Sequence, residues 1–357
     1  RALDAEVGAV AEVAGAVIVA APEPRSVGAR WVLRDGGAAR CRVLRGPSGL
    51  LSPPALSVVV ADHQGKSKGV VDALLAEGQA ISHDPAAADV VLIDHDVPFH
   101  GRLPMVEACV AAGGRAFLYP HGADPANMAS WDGLYPPSPL LSGALVLAEG
   151  HVEIARRSGY PFPVEVIGWP FCAPRERRMR EPRRVLFAPT HPPYLDNPRY
   201  PGRNSEMFRR LLDAPVDLEV RHIGAIEENG LTRAPGVRFV QGDMADAPGM
   251  IEQIDAADAV VADRSTFGNL AVARGVTAVL WDSVEVYNND ASRRPDNLDR
   301  YRDLLRYPFD ADDGDMWDLL RAAAADSERV AEWRRRFIGA PIDGGRLSSI
   351  LRGLSSS

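Results

Sequence analysis

Short apolar runs alternate with helix-like segments along most of the chain, and the runs contain few polar residues. Strands of this kind are buried on both faces, as in parallel sheets that carry helices on both sides. The pattern therefore predicts an α/β fold with parallel sheets. The predicted strands span residues 16–20, 31–33, 57–60, 90–93, 116–119, 145–148, 164–167, 185–188, 218–223 and 237–240, with two more around Val260 and Val279.

The alternation is interrupted by a proline- and arginine-rich stretch at residues 170–182, which has little to bury and is typical of a linker. A chain of 357 residues suits two domains. The sequence thus predicts two Rossmann-like domains at 1–170 and 184–325, a linker at 171–183, and a helical tail at 326–357 that can pack back on the first domain. Ligands are expected in an interdomain cleft, at the carboxyl ends of strands.

Composition narrows the class of partner. The formal net charge is −8 and no basic run occurs, so a nucleic-acid partner is not expected. Cys41, Cys109 and Cys172 are isolated and lack the spacing of metal ligands. They are predicted to be reduced and buried, in a cytoplasmic protein.

The turn at Ser265 and Thr266 is the most informative segment. It follows an apolar strand and opens a short helix, so free main-chain N–H groups, the positive end of the helix dipole and two hydroxyls converge there. This combination suits a phosphate or diphosphate group. The simpler alternative is that either residue is an ordinary N-cap.

Polar residues also follow strands of the first half. His121 stands in a Pro-His-Gly turn, where a neutral imidazole can take a proton from a hydroxyl near pH 7. A turn histidine without a chemical role is the alternative. Lys66 and Ser67 follow residues 57–60 and are candidates to hold a negatively charged ligand, whereas Lys68 is predicted to be solvated.

Two loops of the second half carry further phosphate-binding chemistry. Thr190 and His191 follow residues 185–188 and offer main-chain and side-chain donors to a diphosphate. Arg221 or His222, at the end of the next strand, could neutralise the same phosphates. A buried, hydrogen-bonded histidine is the alternative for His222.

Asp94, His95 and Asp96 match a carboxylate pattern that can hold a divalent cation against a diphosphate. One such triplet is a weak signal, and it is typical of single-domain enzymes rather than of the two-domain plan. The sequence therefore predicts no metal and no other cofactor.

Seven blocks, in order along the chain, resemble the GT-B superfamily of glycosyltransferases. Within that superfamily they resemble the CDP-glycerol glycerophosphotransferase group, which builds teichoic-acid-like polymers. The blocks are GKSKGVVDALLAE (65–77), FLYPHGADPANM (117–128), ALVLAEGHVEIARRSGY (144–160), VEVIGWP (164–170), VLFAPTH (185–191), LEVRHIG (218–224) and DAVVADRST (258–266).

The resemblance implies a GT-B-like fold, with the acceptor bound by the first domain and a nucleotide-diphosphate donor by the second. It also implies that His121 is the catalytic base and that Thr190, His222, Ser265 and Thr266 bind the diphosphate of the donor.

The chain departs from the group at Arg264, where the group has Tyr, and at Ile223, where it has Pro. The donor is therefore open between CDP-glycerol, CDP-ribitol and a nucleotide sugar.

Three functions are compatible with these observations. The first is a metal-independent GT-B transferase that moves a glycosyl or polyol-phosphate group from a nucleotide-diphosphate donor to an acceptor hydroxyl in glycan or cell-surface polymer biosynthesis. A lipid-linked acceptor would bring such an enzyme to the membrane surface. The second is a nucleotide-sugar 2-epimerase, which needs cleft carboxylates such as Asp94, Asp96 and Glu149. The third is a non-catalytic GT-B-like binding domain.

Overall fold

The computed structural model describes the chain in several stretches. These are residues 54–61, 67–94, 102–119, 122, 140–189, 201–243, 246–263, 265–281 and 301–353, together with the backbone of three N-terminal strands. The chain forms two compact units, residues 1–56 and residues 57–357. The domain boundaries predicted from the sequence within the second unit stay predictions.

The first unit contains a three-stranded antiparallel sheet. Strand β1 (Ala9–Val13) pairs with β2 (Ala16–Ala20), and β2 pairs with β3 (Trp31–Arg34). The expectation that the second and third of these runs belong to a parallel sheet is therefore wrong. Two residues separate β1 from β2, and so short a connection can join antiparallel neighbours but not parallel ones.

The second unit begins with a six-stranded parallel sheet. Its elements are β4 (Ser57–Val60), α1 (Lys68–Ala76), β5 (Ala80–Ile81), β6 (Val90–Asp94), α2 (Leu103–Ala111), β7 (Arg115–Tyr119), β8 (Gly143–Val146), α3 (Glu149–Arg157) and β9 (Val164–Val166). The strands lie in the order β5-β4-β6-β7-β8-β9. The order reverses between β4 and β6, which makes the carboxyl ends of these two strands a place where ligands bind in such sheets.

A five-stranded parallel sheet comes next along the chain. Its elements are β10 (Arg184–Ala188), α4 (Pro201–Leu212), β11 (Asp217–His222), β12 (Arg238–Gln241), α5 (Ala247–Ala256), β13 (Ala259–Asp263), α6 (Thr266–Ala273) and β14 (Thr277–Trp281). The order β12-β11-β10-β13-β14 is that of a Rossmann sheet, and it reverses between β10 and β13. The predicted pair of Rossmann-like parallel α/β sheets is confirmed.

Different helices cover the two faces of the second sheet. On one face, Phe187 of β10 stacks on Phe208 of α4, with ring centroids 6.3 Å apart. On the other face, α6 packs so closely that a Cβ on Gly268 would lie 2.8 Å from the side chain of Leu280 in β14. Successive residues of a strand point to opposite faces of the sheet. Two neighbouring polar residues at a strand end therefore contact different helices.

The arginine-rich stretch between the sheets is docked on the second sheet rather than free. The main-chain N–H of Arg175 donates to the oxygen of Ala273 at 2.8 Å, and that of Arg178 donates to the oxygen of Gly275, also at 2.8 Å. A Cβ on Gly275 would lie 2.1 Å from the main-chain oxygen of Glu176. The stretch therefore crosses directly over the C-terminal end of α6.

One carboxylate fixes this crossing. Asp255, on α5, pairs with Arg274, which is 5% exposed, and also with Arg175 and Arg178 from the crossing stretch. The hydrogen bond from Arg274 is the main reason that the pKa of Asp255 lies below its usual range. This anchor could not be predicted from the sequence, because Asp255 is distant from the stretch along the chain.

The C-terminal region is helical. Its elements are α7 (Arg302–Leu305), α8 (Met316–Ala325), α9 (Glu328–Trp333), a π-helical extension (Arg334–Ile338) and α10 (Gly344–Arg352). Helices α8 and α9 are separate, because the side chain of Asp326 accepts the main-chain N–H of Arg329 at 2.9 Å, at the start of the second helix. Helix α10 lies within residues 326–357, where the sequence predicts a helical tail.

This region contacts elements of both parallel sheets. A Cβ on Gly344 of α10 would lie 2.8 Å from the oxygen of Ala73 in α1. In the π-helical extension, Phe337 lies against Gly150 of α3, and the guanidinium of Arg334 donates to the oxygen of Ala273 in α6 at 3.4 Å. Residues 334–344 therefore tie helices of the two sheets together.

Candidate anion-binding site

The start of α6 lies at the point where the strand order of the second sheet reverses. Strand β13 ends at Asp263, and Ser265 and Thr266 begin the helix next to it. Thr190 and His191, predicted to act with them, come after the neighbouring strand β10 but lie outside the described residues.

Ser265 occupies the N-cap position of α6 without acting as a cap through its side chain. Its backbone is extended (φ −68°, ψ −177°), and its hydroxyl accepts no N–H from the first turn. The main-chain N–H of Ser265 donates to Asp263 Oδ1 at 3.3 Å, and its oxygen accepts from Asn269. Ser265 is therefore at the N-cap position, as the simpler alternative has it, but its hydroxyl does not cap the helix.

Gly268 brings this helix start close to the sheet. A Cβ there would lie 2.4 Å from the main-chain oxygen of Asp263 and would clash with Leu280. A glycine in the first turn allows close packing of helix on strand, as it does where dinucleotide phosphates approach a Rossmann helix. The first-turn N–H groups of α6 are consequently held at the strand ends.

Arg221 is a buried cation at the carboxyl ends of the strands of the second sheet. It lies near the end of β11 and is 6% exposed. Its guanidinium donates to Gln253 Oε1 at 2.9 Å and to the main-chain oxygen of Asp243 at 2.7 Å. The guanidinium carbon lies 5.9 Å from the ring centroid of Phe267, in the first turn of α6. Arg221 is thus beside the helix start that the sequence singled out.

Arg221 forms no ion pair with the described part of the chain. Both acceptors are uncharged oxygens, and no carboxylate of the described residues forms an ion pair with the guanidinium. Burial lowers the pKa of Arg221, and the more distant charges of Asp246 and Asp243 act against that shift. Arginine stays protonated in proteins, and buried charges are normally paired. A buried guanidinium without an ion pair in the described part of the chain is a candidate to bind an anion.

His222 lies on the opposite face of the sheet from Arg221. Its ring contacts Phe239 at 6.3 Å between centroids, and Phe239 in turn contacts Phe208 of α4. Nδ1 donates to the oxygen of Gly224 at 2.9 Å, since a carbonyl can only accept, and the residue is 7% exposed. This is the buried, hydrogen-bonded state that the alternative for His222 describes. The structure thus places Arg221, not His222, next to α6.

The predicted residues of the first sheet are described in part. His121 and Lys66 lie outside the described residues, as do His95, Asp96 and the side chain of Asp94. Ser67 is 4% exposed and precedes α1, where its main-chain oxygen accepts the N–H of Val70. Lys68 is exposed and pairs with Asp72 at 2.5 Å.

Three residues of the site escaped prediction from the sequence. Gln253, Gly242 and Phe267 surround the guanidinium of Arg221, and a Cβ on Gly242 would lie 2.4 Å from its central carbon. Gly242 comes directly after β12, so a glycine at a strand end was a usable signal. The sequence around Gln253 contains no comparable signal, because nothing in its helix distinguishes this residue from other polar helix positions.

In the described part of the chain, no group of three or more His, Cys, Asp or Glu side chains is placed to hold a metal ion. No helix there is long and apolar enough to cross a membrane. Cys109 is free and buried, and burial raises the pKa of its thiol. Cys172 is also free but only partly buried, in contrast to the prediction, and accepts a hydrogen bond from the indole N–H of Trp169.

No protein-family model matches the chain, and no curated protein matches it in sequence. Solved structures with a similar course of the chain include the calicheamicin glycosyltransferase CalG4, at 14% identity and a TM-score of 0.46, covering 85% of this chain and 100% of that one. The UDP-GlcNAc 2-epimerase from Methanocaldococcus jannaschii matches at 10% identity and a TM-score of 0.48, covering 84% of this chain and 100% of that one.

A third match is the UDP co-structure of MnaA from S. aureus, at 13% identity and a TM-score of 0.45, covering 83% of this chain and 82% of that one. The candidate anion-binding site rests on the strand order of the second sheet and on the residues around Arg221, and not on these likenesses.

Proposed function

We propose that the protein is a transferase that uses a nucleotide-diphosphate donor, and that the start of α6 and Arg221 bind the donor's diphosphate. The observation that carries the proposal is the unneutralised, 6% exposed guanidinium of Arg221 beside the first turn of α6. First-turn N–H groups and a guanidinium are both donors to phosphate oxygens. The position also supports it, since Rossmann sheets bind nucleotides where the strand order reverses.

In this proposal the site stabilises the charge that develops on the leaving nucleoside diphosphate. Fixed donors aimed at the developing charge are an effective source of rate enhancement, because they need no reorganisation during the reaction. Arg221 and the N–H groups of α6 supply that charge stabilisation without a metal ion. The Ser265 hydroxyl, which does not cap its own helix, is a further donor to the phosphate, together with Thr266.

The acceptor side of the proposal rests on the resemblance. His121 would take the proton from the acceptor hydroxyl, and Lys66 and Ser67 would hold a negatively charged acceptor. The resemblance favours a polyol-phosphate group carried by CDP-glycerol, or a related glycosyl donor, in the synthesis of a glycan or cell-surface polymer. A lipid-linked acceptor would place the reaction at a membrane surface.

The test is a titration with CDP, UDP, GDP, TDP and ADP, each with and without Mg²⁺, read by thermal shift and calorimetry. We expect one base to bind selectively and independently of Mg²⁺. The double variant Ser265→Ala/Thr266→Ala should weaken that binding by about tenfold, the effect of losing one or two hydrogen bonds to a charged group. Ser327→Ala is the matched control, because Ser327 is also an N-cap serine whose side chain makes no capping bond.

Each other outcome has a distinct meaning. Absence of binding by any of the nucleotides would remove the transferase proposal and leave a non-catalytic binding domain. Binding that requires Mg²⁺ would point to Asp94 and Asp96 instead. Conversion of a nucleotide sugar in the absence of an acceptor would identify an epimerase.

A further inference from the structure

The guanidinium of Arg221 is held firmly, although no carboxylate of the described residues pairs with it. It has two hydrogen bonds, to Gln253 Oε1 and to the main-chain oxygen of Asp243. Phe267 lies 5.9 Å from the guanidinium carbon, and Gly242 lies so close that a Cβ there would overlap the guanidinium. The cation is thus fixed by an amide, a carbonyl, a ring and a glycine, all of them uncharged.

Gln253 is the decisive member of this set, because it is the only side chain among the described residues that accepts a hydrogen bond from Arg221. A glutamate has the same length and shape and would make a stronger, charge-assisted hydrogen bond. A carboxylate at this position would stabilise the buried cation of the unliganded protein. It would also cancel the charge that an anion is attracted to.

Helix α5 itself shows the other arrangement. Two residues further along, Asp255 supplies a carboxylate to Arg274, which is 5% exposed. That arginine lies at the far end of α6 and has no need of a ligand. The same helix therefore gives a carboxylate to one buried arginine and an amide to the other.

We propose that Gln253 is a positioning residue that orients Arg221 without neutralising it, so that a phosphate group of the bound ligand supplies the missing counter-charge. The inference rests on the proposed function only for the identity of the ligand as a nucleotide diphosphate. Its physical content is that the amide of Gln253 sets the anion affinity of Arg221.

The test compares two variants that each add one negative charge. Gln253→Glu places the carboxylate against Arg221, whereas Gln241→Glu adds it at the exposed end of the neighbouring strand β12. Affinities for inorganic pyrophosphate and for the nucleoside diphosphates are measured by calorimetry at two salt concentrations, and thermal unfolding is recorded for each protein. Gln253→Ala, which removes the anchor without adding charge, is the third variant.

We expect Gln253→Glu to weaken pyrophosphate binding by about tenfold or more, as the loss of a charge-assisted contact does. Its midpoint of thermal unfolding should stay at or above that of the wild type. Gln241→Glu should change the affinity by less than about threefold, and more weakly at high salt, because an exposed charge is screened. Gln253→Ala should have an intermediate effect on binding.

The proposal is overturned if folded Gln253→Glu protein binds pyrophosphate as well as the Gln241→Glu control does. Its failure can be told apart from failure of the proposed function. If the wild type binds pyrophosphate but no nucleotide, and Gln253→Glu abolishes that binding, the role of Gln253 stands and the nucleotide donor does not. If the wild type binds no anion at all, both are wrong.

Discussion

Arg221 and Arg274 are two buried arginines near opposite ends of α6, and they differ in the charge of their hydrogen-bond acceptors. They are 6% and 5% exposed, and both take a hydrogen-bond acceptor from α5. Arg274 receives the carboxylate of Asp255, which raises its pKa above the usual value. Arg221 receives the amide of Gln253, and its pKa is lowered by burial.

The comparison separates a structural cation from one that can receive a ligand. Arg274 is paired with a carboxylate, and it holds the crossing stretch against the C-terminal end of α6. A buried arginine with neutral acceptors keeps its attraction for an anion, at a cost to the stability of the unliganded protein. Burial alone therefore does not distinguish the two arginines, whereas the charge of their hydrogen-bond partners does, and this difference supports the proposed role of Arg221.

The largest effect is expected from Arg221→Ala. It should weaken binding of the donor diphosphate by about 100-fold, since it removes a buried guanidinium from the phosphate site. The free energy of unfolding should fall by no more than about 2 kcal/mol, because two hydrogen bonds to uncharged acceptors are lost but no ion pair is broken. Calorimetric titration and urea unfolding measure the two quantities. A loss of stability with unchanged affinity would make Arg221 a structural residue like Arg274.

Asp255→Asn should produce the opposite pair of effects. It leaves Arg274 buried without its carboxylate and should lower the free energy of unfolding by about 2 kcal/mol, somewhat less than for a fully buried pair. Affinity for the diphosphate should stay within about threefold of the wild type, since the site lies at the other end of α6. Urea unfolding and calorimetry at pH 7 provide the test, and a larger fall in affinity would show that the two ends are energetically coupled.

Acid should reproduce part of that loss in the wild type. The pKa of Asp255 is lower in the folded protein than in the unfolded chain, chiefly because of the hydrogen bond from Arg274. A depressed pKa contributes stability that is present above the unfolded value of about 3.9 and is lost as the pH falls through the folded value. The difference in free energy of unfolding between wild type and Asp255→Asn should therefore shrink as the pH falls below about 4. A difference that is constant between pH 7 and pH 3 would contradict this assignment.

The smallest effect is expected from Gly242→Ala. The added methyl group overlaps the guanidinium of Arg221, whose side chain can move aside, so affinity for the diphosphate should fall by about threefold. Gly202→Ala is the control, because a Cβ at Gly202 meets nothing within 4 Å. Equal affinities for the two variants would indicate that the position of the guanidinium is unimportant.

The sequence predicted the sheets and the helix start well, because both depend on local patterns. The apolar runs at residues 57–60 and 185–188 are strands β4 and β10, within a residue. Ser265 was placed at the start of a helix because a strand, a polar turn and a helix succeed one another without interruption.

Partners distant in sequence could not be predicted. Arg221 and Gln253 are 32 residues apart, and nothing in the helix that carries Gln253 indicates which side chain it will meet. The separation of Arg221 from His222 is different, since adjacent strand residues must point to opposite faces. The sequence therefore indicates that only one of the two can face α6, and the structure shows that it is Arg221.

Helix α6 is eight residues long, about 12 Å at the usual rise per residue. Its first turn belongs to the candidate anion site, while the oxygen of its last residue, Ala273, accepts hydrogen bonds from Arg175 and Arg334. The helix therefore connects the candidate anion site, at its first turn, with the chain segments that join the two parallel sheets, at its last residue. A displacement of those segments large enough to move α6 would also move the first-turn N–H groups, without a change in any side chain at the candidate site.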